Sequence, residues 1–248
     1  MQRRMLFTAV AFVALFVASL QLPALASGGS KNKGKKAEVR FRVRIENISS
    51  ADGMTAKDGS KWPFALSPGM FVIDGKSEPL FKVGKQAGAS GLEAQAEDGN
   101  PEWLIRTLEA RRHSAMQHGV FNTPIGASMP GPAGPGGVYE FTFTATPGQK
   151  LSFVTMFGQS NDLFYAPAKG VSLFDDGQPL SGDITSRVML FDAGTEVNEE
   201  PGVGADQAPR QKAHNTGASE SGKIGMVKDG FAYPKTSEVI RITITPEM

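Results

Sequence analysis

"AEVRFRVRIENI", residues 37–48, decides the fold. Val39, Phe41, Val43 and Ile45 alternate with Arg40, Arg42, Arg44 and Glu46, so an extended chain here presents an apolar row on one side and charges on the other. A strand buried on one face only belongs to an antiparallel sheet with a wet outer side, because parallel sheets are covered on both faces. "EVIRITIT", residues 238–245, repeats the pattern, with Ile240, Ile242 and Ile244 opposite Arg241, Thr243 and Thr245.

Between these ends lie further short apolar runs: "GMFVID" (69–74), "PLFKV" (79–83), "VYEFTFTAT" (138–146), "KLSFVTMF" (150–157), "SRVMLFD" (186–192) and "KIGMV" (223–227). Turn-formers separate them, rather than helices of crossover length. About eight short strands predict an all-β fold, an antiparallel β-sandwich. Two stretches read as short helical insertions packed across it. "GLEAQAED" (91–98) and "PEWLIRTLEARR" (101–112) carry good helix formers, with Pro101 suited to a first turn and Trp103, Leu104 and Leu108 able to share a face. "FNTPIGASMPGPAGPGG" (121–137) has Gly and Pro without a collagen period and predicts an irregular loop.

The sequence has 248 residues, 40% hydrophobic and 21% charged, with a formal net charge of +1. That composition supports a sizeable core and supplies no global field for nucleic acid or a membrane surface. Arg3 and Arg4 precede an apolar run from Met5 to Leu20, and Ala24-Leu25-Ala26 follows. This predicts a signal peptide over 1–26, cut after Ala26, and a secreted or periplasmic protein. The run is shorter than the roughly 20 residues that span a bilayer, so no transmembrane anchor is expected after cleavage. "SGGSKNKGKK" then predicts a disordered basic leader over 27–37, with the folded domain at 38–248. Cysteine is absent, which excludes thiolate zinc sites, cysteine-ligated clusters and thiol catalysis.

"FVTMFGQSNDLFYAP", Phe153–Pro167, is the stretch with most chemistry in it. It admits a catalytic serine, a cation site, or a strand running into a turn. "GQSND" resembles the "GQSN" block of SGNH-type serine esterases, which would make Ser160 a nucleophile and require a histidine three residues after an aspartate. The residues three places before His113, His118 and His214 are Ala110, Ala115 and Gln211, so that partner block is missing. A cation site is the other reading. Asp162 follows one apolar strand, and "FDAGTE" after another presents Asp192 and Glu196 around Gly194. Carboxylates at strand ends can converge on Ca²⁺, which takes six to eight oxygens, when their loops meet at one end of a sandwich.

Several pieces in order, "IENIS", "LSPGMFVI", "LFKVGKQA", "AEDGN", "SNDLF", "FDAGTE" and "PGVGADQAPR", make the chain from about Val39 to Thr245 resemble the spondin domain, or spondin-N family. The resemblance implies a C2-like antiparallel sandwich with one Ca²⁺ held by Asp162, Asp192 and Glu196. Animal members of the family commonly carry Trp directly after the aspartate, where this chain has Leu163, and Asp at the third acidic position, where it has Glu196. The resulting expectation is an exported, non-enzymatic module that binds calcium, with an adhesion or ligand-binding role toward an extracellular protein or glycan.

Overall fold

Alternating strands bury one face only if two sheets meet, and the computed structural model shows them meeting. It describes residues 38–75, 80–111 and 116–247; the expected signal peptide and leader lie outside the described residues. Eight strands have five residues or more: β1 (Val39–Asn47), β2 (Leu66–Asp74), β3 (Gln117–Phe121), β4 (Val138–Ala145), β5 (Lys150–Phe157), β6 (Leu163–Pro167), β7 (Val188–Asp192) and β8 (Ile240–Glu247). All their pairings are antiparallel.

The first sheet runs β8-β1-β4, with the short strand Gly182–Asp183 beside β8. Its register sets Val43 opposite Ile244 and Phe141, and Ile45 opposite Ile242 and Tyr139. The outer face is a lattice of charges: Arg40 and Arg42 pair with Glu247, Arg44 reaches Glu140 at 2.9 Å, and Arg241 pairs with Glu46. Exposed pairs contribute at most about 1 kcal/mol each, so the buried row carries the stability of this sheet.

The second sheet runs Gly225–Met226, β7, β6, β5, β2, β3. Its central strands β2, β5 and β6 are apolar on both sides because the sheet has two cores. Phe71, Ile73, Leu151, Phe153, Leu163 and Tyr165 face the space between the sheets. Met70, Val72, Val154, Phe164, Ala166 and Phe191 face the other way. Over that outer face lie α1 (Leu92–Asp98) and α2 (Glu102–Arg111), through Leu92, Ala96, Leu104 and Leu108. The helical insertions therefore form a third layer against one sheet.

Five local readings change, beginning with β3 and β6, which form where the sequence pattern marked no strand. Trp103 does not share the buried face of Leu104 and Leu108: it is 60% exposed, with the Arg106 guanidinium over its ring at 5.3 Å. Among the described residues of "PLFKV", Leu80–Val83, no strand forms. Phe81 instead packs edge-on against Phe164 and Phe191, with ring centroids 5.1 and 5.2 Å away. "KIGMV" pairs only through Gly225–Met226, at the end of β7. The Gly/Pro loop 121–137 is irregular as expected, yet firmly held. Leu66 and Ala133 exchange backbone hydrogen bonds of 3.1 and 2.9 Å, and buried Asn47 donates to the carbonyls of Phe64 and Ala133 at 2.9 Å each. No described helix is long and apolar enough to cross a membrane.

Candidate metal centre

β5 ends at Phe157, and the turn Gly158–Asp162 leads into β6. Ser160 builds that turn. Its hydroxyl donates to the Phe157 carbonyl at 2.6 Å and accepts from the Leu163 amide at 3.2 Å. The side chain is buried and has no histidine among its hydrogen-bond partners. His118 contacts Glu109 at 3.2 Å and His214 contacts Asp98 at 2.9 Å; His113 lies outside the described residues. A hydroxyl committed to two backbone groups in a turn is positioned to shape the chain there.

The product of this turn is Asp162, which is fully buried. Its Oδ2 accepts from the Thr195 amide at 2.7 Å, the Thr195 hydroxyl at 3.1 Å and the Glu196 amide at 3.1 Å. Its Oδ1 accepts from nothing. β7 brings in the second carboxylate, because Asp192 is paired with Leu163 across the sheet. Asp192 Oδ1 accepts from the Gly194 amide at 2.7 Å and Oδ2 from the Asn198 side chain at 2.8 Å. Gly194 has φ of +69°, and a Cβ there would stand 2.8 Å from backbone atoms of Gly222 and Lys223. Only glycine allows both the left-handed turn and that approach.

The approach matters because it delivers a third carboxylate. Residues 217–222 run back along 194–197: the Val197 amide donates to Ala218, Glu220 to Thr195 and Gly222 to Gly194, at 2.7, 2.8 and 2.8 Å. Ligand oxygens of Asp162, Asp192 and Glu220 lie within 4.8 Å of one another, the single such group among the described residues. Asp162 and Asp192, paired by sequence reasoning, are thus brought together. Glu196, the third residue expected, is outside the group. It is buried, and its Oε1 accepts from the Gly217 amide at 3.0 Å. Its neighbour Ser219 bridges it, and Glu220, one residue on, faces the aspartates. Nothing in "NTGASESGK" marks Glu220 in the sequence; only the backbone pairing of 217–222 places it.

The electrostatics follow from this crowding. Burial, and then the charge of Asp192, push the Asp162 carboxyl up to about 7. Asp192 is raised by burial and by Asp229, and Glu220 by burial and by Asp192. No lysine or arginine is among the causes. A buried carboxylate with an unpartnered oxygen and like-charged neighbours is costly unless a proton or a cation joins it. All-oxygen ligands suit a hard cation such as Ca²⁺ or Mg²⁺ rather than a thiophilic metal.

A second buried carboxyl lies behind this group. Glu97, on α1, is 2% exposed, with Oε1 unpartnered. Burial raises it to about 8, against a side-chain hydrogen bond with Thr195 that lowers it. Thr195 therefore contacts both Glu97 and Asp162. No protein-family model matches this sequence, and no curated protein matches it.

Proposed function

We propose that this chain is an exported, non-catalytic spondin-like module that binds one Ca²⁺ through Asp162, Asp192 and Glu220, and that the ion orders the loops at one end of the sandwich for ligand binding or adhesion. One observation carries the reading: Asp162 Oδ1 is buried without any donor, and its carboxylate stands within 4.8 Å of ligand oxygens of two further carboxylates. A divalent cation is the species that satisfies all three at once. The ordered run of motifs shared with the spondin domain supports the same region, and the proposal departs from that resemblance in replacing Glu196 by Glu220. In this reading Ser160 performs no chemistry; it fixes the turn that aims Asp162.

Isothermal titration with CaCl₂ on chelator-treated protein tests the proposal. Single-site binding in the range typical of extracellular modules, about 10⁻⁴ to 10⁻³ M, that is abolished in Asp162→Asn supports it. Absence of heat at millimolar Ca²⁺ refutes it.

A further inference from the structure

We propose that the cavity beside α1 and α2 binds a primary alkylammonium group, which donates to the Glu97 carboxylate and lays its alkyl chain against Trp103. The cavity, of about 320 Å³, is lined by Glu93, Glu97, Asp98, Trp103, Ala89 and Ala94 among others, with no lysine or arginine in its wall. None of its lining residues belongs to the group Asp162, Asp192 and Glu220. Glu97 is 2% exposed, and its Oε1 has no donor. A buried carboxylate with an open oxygen costs free energy until a donor reaches it.

Three segments build this wall. Glu93 and Glu97 are four residues apart on α1 and so share one side of it. Gly91, with φ of +87°, lets α2 come close: a Cβ there would stand 2.3 Å from the Leu104 amide nitrogen and 2.4 Å from the Trp103 carbonyl carbon. That approach brings Trp103 to the acidic side of α1, where the Arg106 guanidinium lies over its ring at 5.3 Å. Asp98 accepts from the Gln211 side chain at 2.8 Å and contacts His214 at 2.9 Å, which fastens the segment 211–215 to α1 and puts Asn215 in the wall.

Charge selects a cation. Two basic groups touch this set: His214 on Asp98, and Arg106, which also stands 3.8 Å from Glu102. With His214 protonated and Arg106 set against Glu102, Glu93 and Glu97 still have no basic partner among the described residues. Lys85 and Lys212, the next bases along the chain, are exposed, outside the wall and in no ion pair with these carboxylates. Burial, and the charges of Glu196, Glu93 and Asp162, push Glu97 up to about 8. The side chains of Ala89, Ala94 and Trp103 suit an organic cation, whose apolar part they cover. A quaternary ammonium has no N–H for Oε1. A guanidinium is best matched by two open carboxylate oxygens, and Thr195 already engages the Glu97 carboxyl. A primary ammonium needs only the one oxygen that is open.

The test titrates n-butylammonium and Nα-acetyl-lysine amide into the full chain, in EDTA at constant ionic strength and about pH 8.5, where Glu97 is mostly ionised and an alkylamine of pKa about 10.4 keeps its proton. Calorimetry and tryptophan fluorescence read the binding, Trp103 being the exposed one of two tryptophans. Saturable binding of either amine is expected; a tighter lysine amide marks a peptide side chain as the source, a tighter butylammonium a free amine. Glu97→Gln keeps the shape, loses the charge and weakens binding about tenfold or more. Glu93→Gln, at a partly exposed position where the fold is retained, weakens it about two- to fivefold. Wild type with no saturable response to either amine overturns the proposal. So does binding unchanged in both variants, or n-butyltrimethylammonium binding as tightly as n-butylammonium, since the ring and not the carboxylate would then hold the cation. The chelator keeps calcium out, so none of these results touches the calcium reading.

Discussion

Replacing Asp162 by Asn separates a metal ligand from a structural carboxylate. The amide is nearly isosteric, and its oxygen can still accept from the Thr195 amide and hydroxyl and the Glu196 amide. What disappears is the buried charge. In wild type without metal that charge costs stability, since burial and Asp192 lift the carboxyl from 3.8 to about 7; at about 1.36 kcal/mol per unit the cost is on the order of 1 to 4 kcal/mol near neutral pH. Asp162→Asn in EDTA is therefore expected to melt at or above wild type. Calcium reverses the order. With a Kd of about 10⁻⁴ to 10⁻³ M, about 10 mM Ca²⁺ stabilises wild type by RT ln(1 + [Ca²⁺]/Kd), roughly 1.4 to 2.7 kcal/mol. For a domain of this size that is a rise in melting temperature of about 3 to 11 °C. The variant gains nothing. Differential scanning calorimetry of both proteins in EDTA and in Ca²⁺ reads all four values. Wild type melting alike in both conditions refutes the metal. A variant far less stable than wild type in EDTA refutes the electrostatic argument, because it would mean that the carboxylate acts mainly through its hydrogen bonds.

Three further outcomes are expected. Glu220→Gln weakens Ca²⁺ binding about tenfold by removing one ligand charge, whereas Glu196→Gln leaves it within about twofold because its carboxylate is engaged by Gly217; titration calorimetry showing the opposite ranking reinstates Glu196 as the ligand. Ser160→Ala strands the Phe157 carbonyl and the Leu163 amide and costs about 1 to 3 kcal/mol in urea unfolding, with ester hydrolysis indistinguishable from wild type on a generic panel; lost hydrolysis identifies a nucleophile. Glu97→Gln changes the pH profile. A carboxyl whose folded value is raised from 4.5 to about 8 binds its proton more tightly in the folded state, so wild-type stability falls as pH rises through that window. In EDTA, the variant should match wild type near pH 5 and exceed it near pH 9; parallel melting profiles contradict a buried, ionising Glu97.

Period-two alternation in β1 and β8 determined the half-buried sheet without help from anything distant, because each residue's side of a strand is fixed by local geometry. The double-sided apolar character of β5 was equally visible, but not what covered its second face. A run such as "KLSFVTMF" states that both faces are buried; which of several amphipathic segments lies there depends on contacts far apart in sequence. Trp103 shows the same limit, since helical periodicity grouped it with Leu104 and packing turned it outward.

In the candidate site, Asp162 and Asp192 were legible because each closes or follows an apolar strand, and adjacent strands bring such ends together. Glu196 and Glu220 were not separable that way. Both sit in loops, and which one faces the aspartates is settled by the 217–222 segment pairing with 194–197 around Gly194. The sequence by itself thus determined six of the eight longer strands, β3 and β6 excepted, together with the sheet type and two acidic positions at strand ends, because those follow from local periodicity. Only the tertiary structure decided the helical layer and the third carboxylate, because the first depends on side-chain packing and the second on backbone hydrogen bonds between segments far apart in the chain, and neither leaves a periodic trace in it.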